Sequence, residues 1–151
     1  MIWQHQKTSE RVREWSSFRR KIQKKTFDDA LRETVSLWSY APIINTCMDF
    51  TDHKSWPDPW ELLEDSGYDE LAKALGMLYT LFLSGHDDHS YVLLIGLNRD
   101  QGKYYYIVSI DDGKYILNYE WDSVVNTQQI DPGVKIMCQY TPQDLHLEQY
   151  T

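Results

Sequence analysis

YDELAKALGMLYTLFL, residues 68–83, reads as one long helix with more apolar residues than a single face can hold. Leu71, Leu75, Leu78 and Phe82 recur at spacings of 4, 3 and 4, and Ala72, Ala74 and Tyr79 fill the flanks. A helix apolar around most of its circumference belongs inside a protein, so this one is expected at the centre of the fold. Gly85 follows as the expected C′ glycine. Beyond it the hydrophobic period changes. Tyr91–Leu97, Tyr104–Ile110, Tyr115–Tyr119 and Val134–Tyr140 are rich in β-branched and aromatic residues, and the Asp112-Gly113 pair is a hairpin signal. Helices first and strands after predict an α+β domain: N-terminal helices followed by a mainly antiparallel, four-stranded meander.

Upstream of the central helix, Thr26 is placed to cap a helix opening with Asp28 and Asp29. Its buried stripe is Phe27, Ala30, Leu31, Thr34 and Trp38, and Pro42 stops it by residue 41. In Trp56-Pro57-Asp58-Pro59-Trp60-Glu61, Asp58 can cap, Pro59 suits the first helical position and Glu61 completes a capping box. The two tryptophans around two prolines are either an exposed platform for sugar or peptide or a lock that fixes the loop to the core.

The 151 residues carry a formal net charge of -8, unevenly distributed. Residues 1–25 hold eight Lys/Arg against Glu10 and Glu14, or +6; the remainder holds seven basic against 21 acidic groups, or −14. Val12, Trp15, Phe18 and Ile22 share one helical face in this basic segment, and Arg11, Arg13, Arg19, Arg20 and Lys24 surround it. The expected organisation is a basic helical arm (1–25), an α+β body (26–140) and a C-terminal tail (141–151) without periodicity. The arm is expected to dock on an acidic protein surface through Arg11, Trp15, Phe18, Arg19, Arg20 and Ile22. Trp56, Trp60 and the outward-pointing Tyr105 of the Tyr104-Tyr105-Tyr106 run are further interface candidates. An acidic body is a poor binder of nucleic acid or anionic membranes, no apolar run approaches membrane-spanning length, and residues 1–25 lack the apolar core of a signal peptide.

Catalytic patterns are sparse. Cys47 and Cys138 are too few for a disulfide framework or a zinc cluster; Cys138 lies in an apolar strand and reads as a buried structural thiol, while Cys47, in an irregular stretch, stays open as a nucleophile. Asp49, Asp52 and His53, with His86, Asp87, Asp88 and His89, offer metal-type ligands only if the two segments converge; the simpler reading is polar loops, and neither a metal nor a cofactor is expected.

The segment Ser55-Trp56-Pro57-Asp58-Pro59-Trp60-Glu61-Leu62-Leu63, followed by the helix from Tyr68 through Leu81, resembles a family of small proteins from contractile-tailed bacteriophages. Trp38, Ala41-Pro42 and Lys114–Tyr119 fit it too, so the likeness spans roughly residues 27–122. The resemblance implies a structural protein of the virion, in the tail or baseplate, with other virion proteins as partners in a symmetric assembly. The order of elements is also similar to transglutaminase-like and papain-like cores. Those place a nucleophilic Cys at the head of a central helix, a His on the next strand and an Asp or Asn after it. Here Asp69 stands at the nucleophile position, with His89 and Asn118 in the other two places, so the resemblance implies vestigial positions and no reaction. The alternatives are a thiol hydrolase of this type and an acidic intracellular adaptor or inhibitor.

Overall fold

The computed structural model describes residues 1–44 and 48–151. Four helices precede a five-stranded sheet. Helix α1 runs Thr8–Gln23 and α2 Phe27–Ser39; α3 is the single turn Pro59–Leu62 and α4 is Glu70–Phe82. Strands β1 (Tyr91–Asn98), β2 (Lys103–Ile110), β3 (Tyr115–Leu117), β4 (Val124–Val125) and β5 (Val134–Tyr140) pair antiparallel throughout, in the order β4-β3-β2-β1-β5.

The capping signals work as their chemistry requires. Thr26 accepts from Asp29 N–H at the head of α2, and Asp58 accepts from Trp60 and Glu61 N–H while Glu61 reaches back to Asp58 N–H. Each satisfies backbone donors that a helix start leaves without partners. Every residue of α4 from Leu71 to Phe82 is buried. One side of α4 packs on the sheet face carrying Leu93, Ile95, Val108, Ile110 and Leu117, and α2 covers the other. Gly76 makes that second contact possible: the Trp38 ring lies so close that a Cβ there would overlap it.

The α+β class and the helices-then-meander order match the sequence reading. A fifth strand joins the four expected, because Val124–Val125 is too short to show a period of two. β5 does not extend the meander; it returns to the free edge of β1, with a register shift between Ile95 and Gly96. The turn from β2 to β3 holds Asp111, Asp112 and Gly113 all at positive φ, 53°, 55° and 83°.

The N-terminal segment is not a free arm. Trp15, 1% exposed, and Ile22 lie in the same core cluster as α4, and Val12 and Phe18 pack against it. Arg11 is buried too. Its Nε–H donates to His5 O (2.7 Å), and Nη1 donates to Asp65 O (2.6 Å) and Leu63 O (3.3 Å). Arg19 spreads over the Trp15 ring, 4.2 Å from its centroid. Of the six residues expected to dock on a partner, only Arg20 is fully exposed, and its guanidinium bonds Ser16 and Ser17 of its own helix. The physical reason is ordinary: an amphipathic helix buries its apolar stripe on the nearest core, here its own. Lys21 and Lys25 meet Glu33 of α2 at 3.1 and 2.6 Å. The tail is likewise packed, with Leu147 buried and Tyr150 edge-on to Trp60 at 4.9 Å between ring centroids.

Candidate functional site

The head of α4 is the place to look for chemistry, and Asp69 stands there as the N-cap. Its Oδ1 accepts from Ala72 N–H (2.8 Å) and its Oδ2 from Met48 N–H (2.6 Å). Both carboxylate oxygens therefore serve backbone donors. Asn118, just past β3 and in the left-handed region (φ 67°), donates through Nδ2 to Glu70 O (3.0 Å) and Tyr106 O (2.9 Å). One amide thus ties the helix head to β2. Asn118 thus bonds the residue that follows Asp69.

His89 does not join them. The chain leaves the other end of α4, about 20 Å away at 1.5 Å per residue, and turns at Gly85 (φ 82°). His89 stacks on Phe27, with centroids 3.6 Å apart, and its Nδ1–H donates to Asp111 Oδ2 at 2.8 Å. That pair clasps the loop before β1 to the β2–β3 turn. Burial raises the Asp111 pKa, but the hydrogen bonds from His89 and Ser90 N–H and the charges of His89 and Lys114 outweigh it, leaving the carboxyl below its usual range.

Beside Asn118 opens a cleft of about 320 Å³ lined by Lys73, Tyr104, Tyr106, Asn118 and Trp121, with Glu70 and Glu120 also on its wall. Lys73 is 2% exposed, and its ammonium donates to Ser39 O at 3.3 Å. Burial lowers its pKa, and the charge of Glu70 opposes that shift. Trp121 donates Nε1–H to the same Ser39 O (3.0 Å), stays 63% exposed, and meets Tyr40 edge-on at 4.8 Å. Sequence reasoning passed over Lys73, Tyr40 and Trp121. The available signal was Lys73 itself, a cation inside the apolar 71–83 run.

The other candidates are structural. Trp56 donates to Asp49 O (2.8 Å) and packs its ring on Tyr140, and Trp60 lies between Trp15 and Tyr150. Both tryptophans of the Trp-Pro segment are thus fixed against the core. Tyr105, expected on an interface, stacks on Tyr119 (5.1 Å) in a small cluster on the outer sheet face with Ile107, Ile116 and Val125. His53 leans on Tyr140, whereas His86 Nε2–H donates to Ile22 O, so the two metal-type segments do not converge. Cys138 is a free thiol on β5, half-buried against the core; Cys47 lies outside the described residues.

Neither a family model nor a curated protein sequence matches the chain. Two solved structures do. LapG of Legionella pneumophila superposes with a TM-score of 0.71 at 16% identity, covering 89% of this chain and 75% of LapG. Its calcium-bound form gives 0.67 at 16% identity, covering 87% and 74%. Among the described residues no three His, Cys, Asp or Glu come together to hold a metal ion. What the chain shares with LapG is its architecture, a transglutaminase-like α+β fold with a central helix laid on an antiparallel sheet.

Proposed function

We propose that this chain is a transglutaminase-like fold that binds a polypeptide at the head of α4 without cleaving it. One observation carries the reading. At the position where thiol enzymes of this fold carry the nucleophile, both Asp69 oxygens are engaged by backbone N–H groups, and no histidine lines the adjoining cleft among the described residues. A carboxylate so engaged caps a helix, and among the described residues no cysteine and histidine meet there to form a thiolate–imidazole pair. Trp121, on the cleft wall, mostly exposed and edge-on to the exposed Tyr40, supports binding, since amphipathic rings beside a cleft are typical of contact surfaces.

The rival reading is a thiol hydrolase, favoured by the likeness to LapG, a cysteine protease. The two separate in one assay. The purified chain is incubated with unfolded protein substrates, with and without prior alkylation by iodoacetamide. We expect no cleavage in either case; cleavage that alkylation abolishes would make the chain an enzyme. A structural place in a tailed-phage particle is a further proposal, which rests on the resemblance of residues 55–81. Mass spectrometry of purified particles tests it, with stoichiometric recovery expected and absence from intact particles sinking it.

A further inference from the structure

We infer that Lys73 is the receptor for a single carboxylate of a bound polypeptide, seated in the cleft between α4 and β2 beside Trp121. This rests on the reading of the cleft as a binding site.

The argument begins with an incompletely satisfied cation. An ammonium has three N–H donors. At Lys73 one reaches Ser39 O, and that oxygen also takes the Trp121 indole N–H, which uses both its lone pairs. No carboxylate lies within 4.0 Å of the Lys73 ammonium among the described residues, although Glu70 is only one helical turn away. A lysine with its side chain almost wholly buried and donors still open is costly for the free protein. The side chain lines the cleft, so an entering anion can reach it. A carboxylate fits best, because its two oxygens match the two open donors.

The walls narrow the ligand further. Tyr104, Tyr106 and Trp121 present ring faces and edges, which suit an apolar or aromatic residue beside the charged group. Glu70 and Glu120 line the same wall together with Lys103, so the charged lining is balanced and suits one carboxylate better than a strongly acidic segment or a multiply charged phosphate. One carboxylate next to one aromatic residue satisfies both constraints. Its source is either the chain terminus of the bound polypeptide or an internal Asp or Glu.

Full-length protein is titrated with a pooled random hexapeptide library in three forms: free C-terminal acid, C-terminal amide, and amide lacking Asp and Glu. Bound peptides are read by mass. We expect retention of peptides carrying a carboxylate beside an aromatic residue, and at least tenfold weaker retention of the acid-free amides. Preference for the free-acid pool assigns the carboxylate to the terminus; retention of acidic amides assigns it to a side chain. Lys73→Met keeps the length of the stem and should lose the carboxylate preference about tenfold with its thermal transition intact. Lys73→Arg should restore part of it, a rescue that a purely structural lysine would not show. Equal retention of the acid-free amides, unchanged preference in folded K73M, or no retention by the native protein would each overturn the assignment. Peptides that are bound and then cut would sink the non-catalytic reading and leave this one standing.

Discussion

Trp15 and Thr80 meet at 3.0 Å, the indole N–H of the first helix donating to a hydroxyl buried in the last turn of α4. Trp38 donates to the same oxygen, also at 3.0 Å, and Thr80 passes its own proton to Gly76 O. A single hydroxyl thus joins α1, α2 and α4. Thr80→Val keeps the shape and strands two buried indole donors. It should cost about 2–5 kcal/mol, read as a lowered denaturant midpoint at unchanged slope.

Removing residues 1–25 takes Trp15, Ile22 and Arg11 out of the core together. The basic helix is therefore expected to be indispensable. The truncated chain should lose its cooperative thermal transition, since a single large core residue deleted already costs about 3–5 kcal/mol. A truncated chain that stays folded and merely becomes more acidic would restore the detached-arm picture.

Gly76→Ala tests the closeness of α2 and α4. Alanine raises helix propensity by about 1 kcal/mol, but its Cβ would overlap the Trp38 ring. Overpacking should win, with net destabilisation of about 1–3 kcal/mol. Near-ultraviolet circular dichroism should also change as the Trp38 ring is displaced.

Asp69→Cys places a thiol at the head of α4. It should lose about 1 kcal/mol of capping and gain no hydrolytic activity, because His89 sits at the far end of the helix. Alkylation of the new thiol followed by mass gives its reactivity directly. Peptide cleavage by this variant would show that a working base lies nearby after all.

The Asp111 carboxyl lies below its ordinary range in the folded protein. Its contribution to stability is therefore fully present above the unfolded pKa of about 4 and is lost as pH falls through the lower folded value. The carboxylate is largely solvated, so the effect should stay under about 1 kcal/mol. Asp111→Asn should flatten that part of the acid limb, and a guanidinium titration at pH 7 and at pH 3 measures the difference.

The elements of this fold were legible where local chemistry alone decides them. The caps at Thr26 and Asp58 and the spacing of Leu71, Leu75, Leu78 and Phe82 each belong to one short segment. What failed depends on facts that no segment contains. The surplus of cations in residues 1–25 suggested a separate arm, but charge on the outer face of a helix says nothing about where its apolar stripe goes. His89 was placed beside Asp69 from order along the chain. That order does not state which end of α4 the following loop returns to, and Gly85 keeps it at the far end. Lys73 escaped notice because periodicity counts apolar residues and has no term for one cation buried among them.

Asn118 has a consequence for how the cleft would work. Its side chain bonds the carbonyls of Glu70 and Tyr106 at once, from a backbone already in the left-handed region. The helix head and the strand are thereby held at a set separation before any ligand arrives. The mouth is preorganised, so association should proceed with little rearrangement of the protein and with most of the ordering cost falling on the incoming peptide.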